Sequence, residues 1–288
     1  MSPSRWHPVL YRLSVARLRL VRHVRQRLGG HVAARTKREP LEFRVFKHTS
    51  KLIRVAPGVD LALQHGKVQN LRAALPFLSG VVVRPGETFS FYDLVGEPTR
   101  ARGFVDGVEL RDGVPRPGVG GGLCQLANML HWLVLHSPLT VVERHHHSLD
   151  PFPDSGRVVP FGSGATLFYN YLDFRFRNDT DATFQVRLWL TDKLLEGELR
   201  CSRKWPEKFH VFERNHRFVR EGNDVFRENE LWREVRRAGV LEHEERLFTH
   251  RARVLYPVSS LSLEQSVARR ALAPRSSPSL APPLVHAR

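Results

Sequence analysis

The sequence predicts an α+β protein in which a central helix follows a glycine-rich loop and packs on a mostly antiparallel sheet. Residues 117–128 read PGVGGGLCQLAN, and the apolar residues beyond Leu123 recur every three or four positions, which is the period of an amphipathic helix. Short apolar runs that alternate with polar residues lie on both sides of this helix, separated by turn residues. Together these observations predict one core in which a helix covers a sheet.

Charge divides the chain into three predicted parts. Residues 1–38 contain ten Lys or Arg and no Asp or Glu, whereas residues 39–258 and 259–288 each carry a net charge of only +3. We therefore predict a basic N-terminal arm over 1–38, an α+β domain over 39–258 and a disordered Pro/Ser/Ala-rich tail over 259–288. Because the body is nearly balanced, the net charge of +16 does not indicate a nucleic-acid-binding protein.

The arm contains a predicted basic amphipathic helix at 9–28, VLYRLSVARLRLVRHVRQRL. Such a helix either docks on its own domain or lies on an anionic membrane surface. Arginine interrupts every apolar run, so neither a secretory signal nor a membrane span is predicted. Cys124 and Cys201 are too few for a disulfide framework, and we expect a cytoplasmic protein, with peripheral contact at the inner membrane face as an alternative.

Apolar periodicity and turn residues predict the remaining elements. We expect a helix over 59–79 that Gly80 closes, and a hairpin through an Asp112-Gly113 turn. Predicted strands lie within 41–56, 81–83, 88–91, 139–147, 165–177, 182–190 and 194–201. Residues 178–181 read NDTD and predict a hairpin between two of these strands, while residues 205–258 are charged and show less pattern.

Cys124 is the leading candidate for chemistry. It follows the glycine loop at the predicted start of the central helix, where unpaired backbone N–H groups favour a thiolate. Cysteine hydrolases and transferases use a nucleophile in this setting. The alternative is a small buried apolar side chain, which is the usual fate of a free cysteine and the expectation for Cys201.

The histidines at 145–147 could supply a base for Cys124. If the strand predicted over 139–147 includes them, Glu143, His145 and His147 share one face. His145 or His147 would then deprotonate the thiol, or both imidazoles and the thiolate would hold a zinc ion with an open fourth position. The alternative is a polar surface at a strand end. No cofactor is expected, and zinc at Cys124, His145 and His147 is the minor possibility.

The residues next to Cys124 suggest further roles. Gln125 could donate its amide to a developing oxyanion, although glutamine in the first turn of a helix is often only structural. Gly120, Gly121 and Gly122 could cradle a phosphate or carboxylate. The loop lacks both the lysine of a P-loop and the spacing of a dinucleotide fingerprint, so a nucleotide is not the expected ligand.

Four stretches, in this order, resemble the VanW family: RPGETFSFYDLVGEPTRARGF, PGVGGGLCQLANMLHWLVL, VVERHHHS and LFYNYLDFRFRNDTDATFQVRLWL. The resemblance is strong over 80–200 and weaker over 40–258. It implies a link to glycopeptide resistance and to the cell envelope, without implying a reaction. The matching positions are Gly120, Gly121, Gly122, Cys124, Gln125, Glu143, Arg144, His145 and His147, of which the glycines, Glu143 and Arg144 are expected to bind the ligand.

One position departs from the family pattern. Many members read GxDAT where this chain has Gly162-Ser163-Gly164-Ala165-Thr166, so Gly164 replaces an aspartate that could orient a histidine. Asp173 or Asp150 could substitute. Two functions therefore remain open: a Cys/His-dependent hydrolase or transferase on a peptidoglycan-related substrate, and a non-catalytic module that binds a cell-wall peptide or small molecule.

Overall fold

The computed structural model describes residues 16–17, 32–53, 60–111, 113–151, 153, 158–169 and 172–258. Residues 16 and 17 are helical, but the rest of the helix predicted at 9–28 and the whole predicted tail lie outside the described residues. No helix in the described ranges combines the length and hydropathy that crossing a membrane requires. The boundaries proposed from charge stay predictions.

The first half of the described chain alternates strands and helices. The elements are β1 (Val32–Ala33), β2 (Phe43–Lys51), α1 (Leu61–Leu78), β3 (Val82–Val83), β4 (Glu87–Ser90), α2 (Phe91–Val95), a 3-10 turn (Arg100–Arg102), β5 (Asp106–Arg111), β6 (Val114–Val119) and α3 (Cys124–Leu135). Asp60 caps α1 by accepting the N–H groups of Ala62 and Leu63. Gly80 follows the end of α1 with a φ of +87°, as predicted.

The second half is built from strands. They are β7 (Thr140–Glu143), β8 (Leu149–Asp150), β9 (Arg175–Arg177), β10 (Phe184–Leu190), β11 (Leu194–Cys201), β12 (Glu207–Glu221), β13 (Asp224–Arg237) and β14 (Val240–Val254). The α+β class holds in its coarse form, since most of the regular structure is strand and a few helices pack against it.

Several sheets replace the single sheet that the sequence predicts. Their strand orders are β1-β4-β9-β7, β2-β11-β10-β3 and β12-β13-β14-β8, and β5 pairs with β6 as a separate hairpin. In that hairpin Arg111 is opposite Val114, which confirms the predicted hairpin. The hairpin predicted through 178–181 is wrong, because β9 and β10 belong to different sheets. The side chain of Asn178 bonds the carbonyls of Val83 and Ala182 at this crossing.

Helix α3 lies at the centre of the main hydrophobic core. Leu126, Leu130 and Leu133 are fully or almost fully buried, and the core continues into α1 and both sheets that α3 adjoins. Each such side chain contributes about 1.5–3 kcal/mol by leaving water. Cys201 is also completely buried in this core, as expected for a structural cysteine. The predicted central helix is thus confirmed.

The C-terminal sheet was not recognisable from the sequence. Strands β12, β13 and β14 pair along nearly their whole length, and Leu231 packs in a second small core with Trp132 and Leu135 of α3. A buried ion pair between Arg227 and Asp150 connects this sheet to the chain that follows the histidines. The sheet therefore covers the far side of α3 and holds the histidine-bearing segment beside it.

Candidate functional site

A glycine turn at 120–123 connects β6 to α3 and places Cys124 in the first turn of that helix. The N–H of Gly120 donates to the carbonyl of Val105, and the N–H of Gln125 donates to the carbonyl of Gly122. Because α3 begins at Cys124, the predicted position of this cysteine at a helix N-terminus is confirmed.

Close packing explains why the turn consists of glycines. A side chain at Gly121 would overlap the backbone of Gly107 in β5, and one at Gly122 would overlap the side chain of Lys67 in α1. Gly120 has a φ of +77°, in the left-handed region that glycine favours. The suggestion that these glycines cradle an anion stays a prediction.

Asn70 of α1 fixes the turn against the β5–β6 hairpin. Its Nδ2 donates to the carbonyls of Val105 at 3.0 Å and Gly121 at 2.9 Å, and its Oδ1 accepts the N–H of Val105 at 2.8 Å. Asn70 is fully buried. Every polar atom of this buried amide group is therefore satisfied, and the glycine turn is a rigid platform for the start of α3.

The Cys124 sulfur is not the thiolate that its position at the helix end predicts. Its Sγ lies 4.0 Å from the carbonyl oxygen of Leu167. Burial raises the pKa of the Cys124 thiol, and the negative charge of Glu109 raises it further. Backbone hydrogen bonds from Leu167 and from Cys124 itself lower the pKa, but they do not offset burial. The resting residue is therefore a protonated thiol at neutral pH.

This thiol state predicts a slow reaction of native Cys124 with iodoacetamide at pH 7.4. The midpoint of its pH–rate profile should lie above the ordinary thiol pKa of about 8.5, because only the thiolate reacts. Site-resolved mass spectrometry of the alkylated chain measures this rate, with the denatured chain as reference and Cys201→Ala as control. Faster alkylation of the native protein at neutral pH would contradict the raised pKa.

Gln125 performs a structural task in this arrangement. Its Nε2 donates to the hydroxyl of Ser50 at 2.7 Å and to the carbonyl of Lys51 at 2.8 Å, both at the end of β2. An amide nitrogen carries only two hydrogens, and both are used. The proposed donation by Gln125 to an oxyanion is therefore not supported by this geometry.

The strand predicted through the histidines ends earlier than expected. Strand β7 stops at Glu143, and residues 144–147 are irregular, so the argument that alternate residues share a strand face is wrong for them. Arg144 stabilises this irregular backbone conformation, because its guanidinium donates to the carbonyls of Gly162 and Gly164 and stacks over Phe248. Burial lowers the pKa of Arg144 to about 10, which leaves it charged at neutral pH.

His145 is held by Glu143. The Nε2 of His145 lies 3.0 Å from Oε1 of Glu143, and the same oxygen accepts the N–H of Asp173 at 3.1 Å. Both His145 and Glu143 are half-buried. A carboxylate that fixes an imidazole in this way is the orienting element that a catalytic base requires.

The other histidines of the motif have separate surroundings. His146 packs edge-to-face on His250, with ring centroids 4.7 Å apart. Burial, followed by the charge of His146, lowers the pKa of His147, so this imidazole is neutral at pH 7. Within the described chain, no imidazole nitrogen makes a hydrogen bond to the Cys124 sulfur.

Residues 162–167 lie between the first turn of α3, which contains Cys124, and the histidines at 145–147. We call these residues the bridging segment. On one side the N–H of Thr166 donates to the carbonyl of His145 at 2.8 Å. On the other side the N–H of Ala165 donates to Oδ1 of Asn128, one helical turn after Cys124. Leu167, the residue after Thr166, supplies the carbonyl oxygen that lies 4.0 Å from the Cys124 sulfur. The bridging segment thus contacts both the first turn of α3 and the histidine motif. In the described residues no hydrogen bond connects an imidazole to the Cys124 sulfur.

Some side chains that the sequence did not suggest influence the acidity of this region. The charge of Glu109 in β5 raises the pKa of the Cys124 thiol, and burial, followed by the charges of Cys124 and Asp173, raises the pKa of Tyr92 in α2. Asp173 is buried and accepts hydrogen bonds from Ser90 Oγ and from the N–H of Tyr92. These residues come from separate elements, and no spacing in the sequence signals their approach.

Asn128 partly fills the space beside Gly164. A Cβ atom at Gly164 would lie 3.1 Å from Oδ1 of Asn128. Of the two suggested substitutes, Asp173 donates its backbone N–H to Glu143, while Asp150 binds Arg227 and the hydroxyl of Tyr256. A catalytic role for either aspartate stays a prediction. Glu143 is the carboxylate that holds His145.

In the described parts of the chain, no three His, Cys, Asp or Glu side chains are arranged to hold one metal ion. Zinc at Cys124, His145 and His147 stays a prediction. The roles assigned to these residues as nucleophile and base are likewise predictions.

Comparisons with known proteins show a similarity to one protein family. Residues 66–200 match the family model described as VanW like protein. The chain is 29% identical over 254 residues to the vancomycin B-type resistance protein VanW of Enterococcus faecalis, covering 87% of this chain and 92% of that protein. It is 34% identical over 118 residues to the uncharacterized protein YoaR of Bacillus subtilis, covering 41% of this chain and 37% of YoaR. No solved structure gives a significant match. The chain is thus similar to the VanW family, with the family match confined to residues 66–200.

Proposed function

We propose that this protein is a cysteine-dependent hydrolase or transferase that acts on a peptidoglycan-related peptide, with Cys124 as nucleophile and His145 as base. The observation that supports this proposal is the bridging segment, which contacts the first turn of α3 on one side and the histidine motif on the other. The hydrogen bond between His145 and Glu143 supports it further, because a general base needs a fixed orientation.

In the proposed reaction, substrate binding brings the imidazole of His145 to the thiol. His145 takes the thiol proton, and the sulfur attacks the carbonyl carbon of a peptide bond. When the C–N bond breaks, the departing amine receives the proton from His145, and a thioester remains on Cys124. Water or a second amine then attacks the thioester with His145 as base, which restores the thiol.

A resting protonated thiol fits this scheme, because it makes the base necessary. Catalytic hydrogen bonds are often long in a protein without its substrate and shorten in the complex. Glu143 holds the imidazole, while His147 is the alternative base. We further propose that the glycines at 120–122 and Arg144 contact the peptide, although Arg144 first has to exchange its bonds to the bridging segment.

The substrate class rests on the relative that is named a vancomycin B-type resistance protein. Vancomycin resistance concerns the cell wall, so we infer a peptide of peptidoglycan or of its precursors. The expected compartment is the cytoplasm, where precursors are made, with the N-terminal arm as the alternative contact to the inner membrane face.

The second candidate is a non-catalytic accessory protein that binds the same class of ligand. Two observations favour it: both amide hydrogens of Gln125 are already used, and no imidazole in the described residues hydrogen-bonds the sulfur. In this case Cys124 packs beneath the ligand and transfers no group.

Purified muropeptides distinguish the two candidates. The full chain is incubated with muramidase-released fragments, and their masses are followed together with the fraction retained by the protein. The hydrolase or transferase predicts new fragment masses that Cys124→Ser abolishes and that Cys201→Ser, the matched control, leaves unchanged. Retention without any change in mass, equal in Cys124→Ser, would instead establish the binding protein.

A further inference from the structure

Arg175 of β9 lies beside the carboxylate that holds His145. In the strand register Arg175 pairs with Ser90 of β4 on one side and, after a bulge, with Glu143 of β7 on the other. Side chains of directly opposite residues project from the same face of a sheet. The side chain of Arg175 therefore shares a sheet face with the Glu143 carboxylate, whose Oε1 lies 3.0 Å from Nε2 of His145.

The guanidinium of Arg175 has no partner among the residues that the structure describes. Arg175 is half-buried, and its Nε atom is buried without a hydrogen bond. Both nearby carboxylates bind other groups. Glu143 holds His145, and Asp173 accepts hydrogen bonds from one hydroxyl and two backbone N–H groups. A positive charge and a buried donor are thus left without an acceptor from the described chain.

A second buried polar atom without a partner adjoins the same motif. Thr166 of the bridging segment donates its N–H to the carbonyl of His145. Its hydroxyl oxygen is buried, and in the described residues it forms no hydrogen bond. Because buried polar groups in native proteins are normally paired, two such atoms on either side of His145 indicate that a polar ligand binds here.

We infer that Arg175 binds a carboxylate of the ligand, and that the ligand is a peptide with a free carboxyl group at its end. A guanidinium presents parallel N–H donors that match the two oxygens of a carboxylate, and its charge strengthens both hydrogen bonds. The inference rests on the proposed function for the peptide class and adds the part of the peptide that is recognised. Arg175 is a binding residue in this role and takes no part in proton transfer.

Two dipeptides test this inference, because they differ only at the carboxyl group. Nα-acetyl-alanyl-alanine carries a free carboxylate, whereas its carboxamide carries none. Both are titrated in their L,L and D,D forms by isothermal calorimetry into the full chain carrying Cys124→Ser, so that neither peptide is turned over. The free acid should bind about tenfold more tightly than the carboxamide, or better, as expected for hydrogen bonds to a charged group.

Arg175→Gln in the same background should remove this preference, so that the free acid and the carboxamide bind equally. Arg187→Gln is the matched control. Arg187 is also a half-buried strand arginine whose buried Nε has no partner in the described chain, but it lies in β10 of another sheet, opposite Glu198. This variant should keep the full preference. Arg175→Lys retains the charge without the parallel donors and should keep only part of it.

Equal binding of the free acid and the carboxamide, or no binding of the free acid in either form, would overturn the inference even if Arg175→Gln failed to fold. A preference that survives Arg175→Gln would assign the carboxylate to another residue. Stronger displacement of the free acid by inorganic phosphate than by acetate would also overturn it, because Arg175 would then select a phosphate.

This titration and the muropeptide experiment fail separately. A carboxylate preference that depends on Arg175, without any new fragment mass, would retain the recognition and reject the hydrolase or transferase. New fragment masses that depend on Cys124, together with equal binding of the two dipeptides, would retain the enzyme and reject the role of Arg175.

Discussion

Replacing Gly121 by alanine is expected to destabilise the fold by about 3 to 5 kcal/mol, near the upper end of single-substitution effects. The added methyl group would overlap the carbonyl of Gly107 and approach the carbonyl oxygen of Gly118 to 2.9 Å. These obstacles are backbone atoms, which cannot rotate away as a side chain would. Urea denaturation followed by circular dichroism measures the change in the free energy of unfolding.

Gly86→Ala is the control for this substitution. Unlike Gly121, Gly86 has a positive φ, of +77°, and no atom lies within 4 Å of the position that its Cβ would take. Its cost should be about 1 to 2 kcal/mol, which is the backbone term alone. A loss for Gly121→Ala that is no larger than the loss for Gly86→Ala would contradict the large cost expected from close packing at Gly121.

Acid is expected to destabilise the protein through two buried histidines, by about 2 kcal/mol for each between pH 7 and pH 5. Burial lowers the pKa of His131 to about 3 and that of His136 to about 4, from an ordinary value of 6.5. Below pH 6.5 these two histidines bind protons in the unfolded chain, whereas they stay neutral in the folded chain. Stability therefore falls as the pH decreases, down to the folded-state pKa of each residue.

His131→Asn and His136→Asn test this expectation without removing a hydrogen bond. The Nδ1 atoms of the histidines lie 2.7 Å from the carbonyl of Ser163 and 2.9 Å from that of Trp132, and an asparagine amide can take over either donation. Denaturation at pH 7 and at pH 5 should show a smaller loss in the double variant than in the parent. An identical loss would assign the acid sensitivity to other groups.

Local signals in the sequence predicted the parts of the fold that depend on neighbouring residues. The periodicity after Cys124, the glycine after α1 and the signal for the β5–β6 hairpin each act over a few residues, and the structure confirms all three elements. Strand β11 has the predicted limits, Leu194–Cys201. In each case one face or one turn residue determines the element.

The C-terminal sheet could not be predicted in this way. Both of its faces carry charged or polar side chains. On the outer face, arginines pair with glutamates across the strands, as Arg251 does with Glu221 and Glu228. On the inner face, buried polar residues such as Asn229 and Arg227 interrupt the apolar pattern. Their partners are distant in sequence, so periodicity gave no signal.

The candidate site was predicted in part for the same reason. Both motifs were recognised, but the hydrogen bond between Glu143 and His145 and the donation by Gln125 to Ser50 depend on tertiary contacts. The sequence predicted a lowered pKa for the Cys124 thiol, and this prediction is wrong. The helix terminus is visible in the local sequence, whereas the burial that raises the pKa depends on the completed fold.

The pairing of β2 with β11 has a consequence for how this protein is made. Lys51 pairs with Leu194, and roughly 140 residues of chain separate them, so a ribosome adding 5–20 residues per second needs on the order of 10 s to deliver the partner. Throughout that interval the nascent N-terminal strand has an unmatched edge. Correct maturation therefore depends on the first strand staying apart from other nascent chains until the last strand of its sheet emerges.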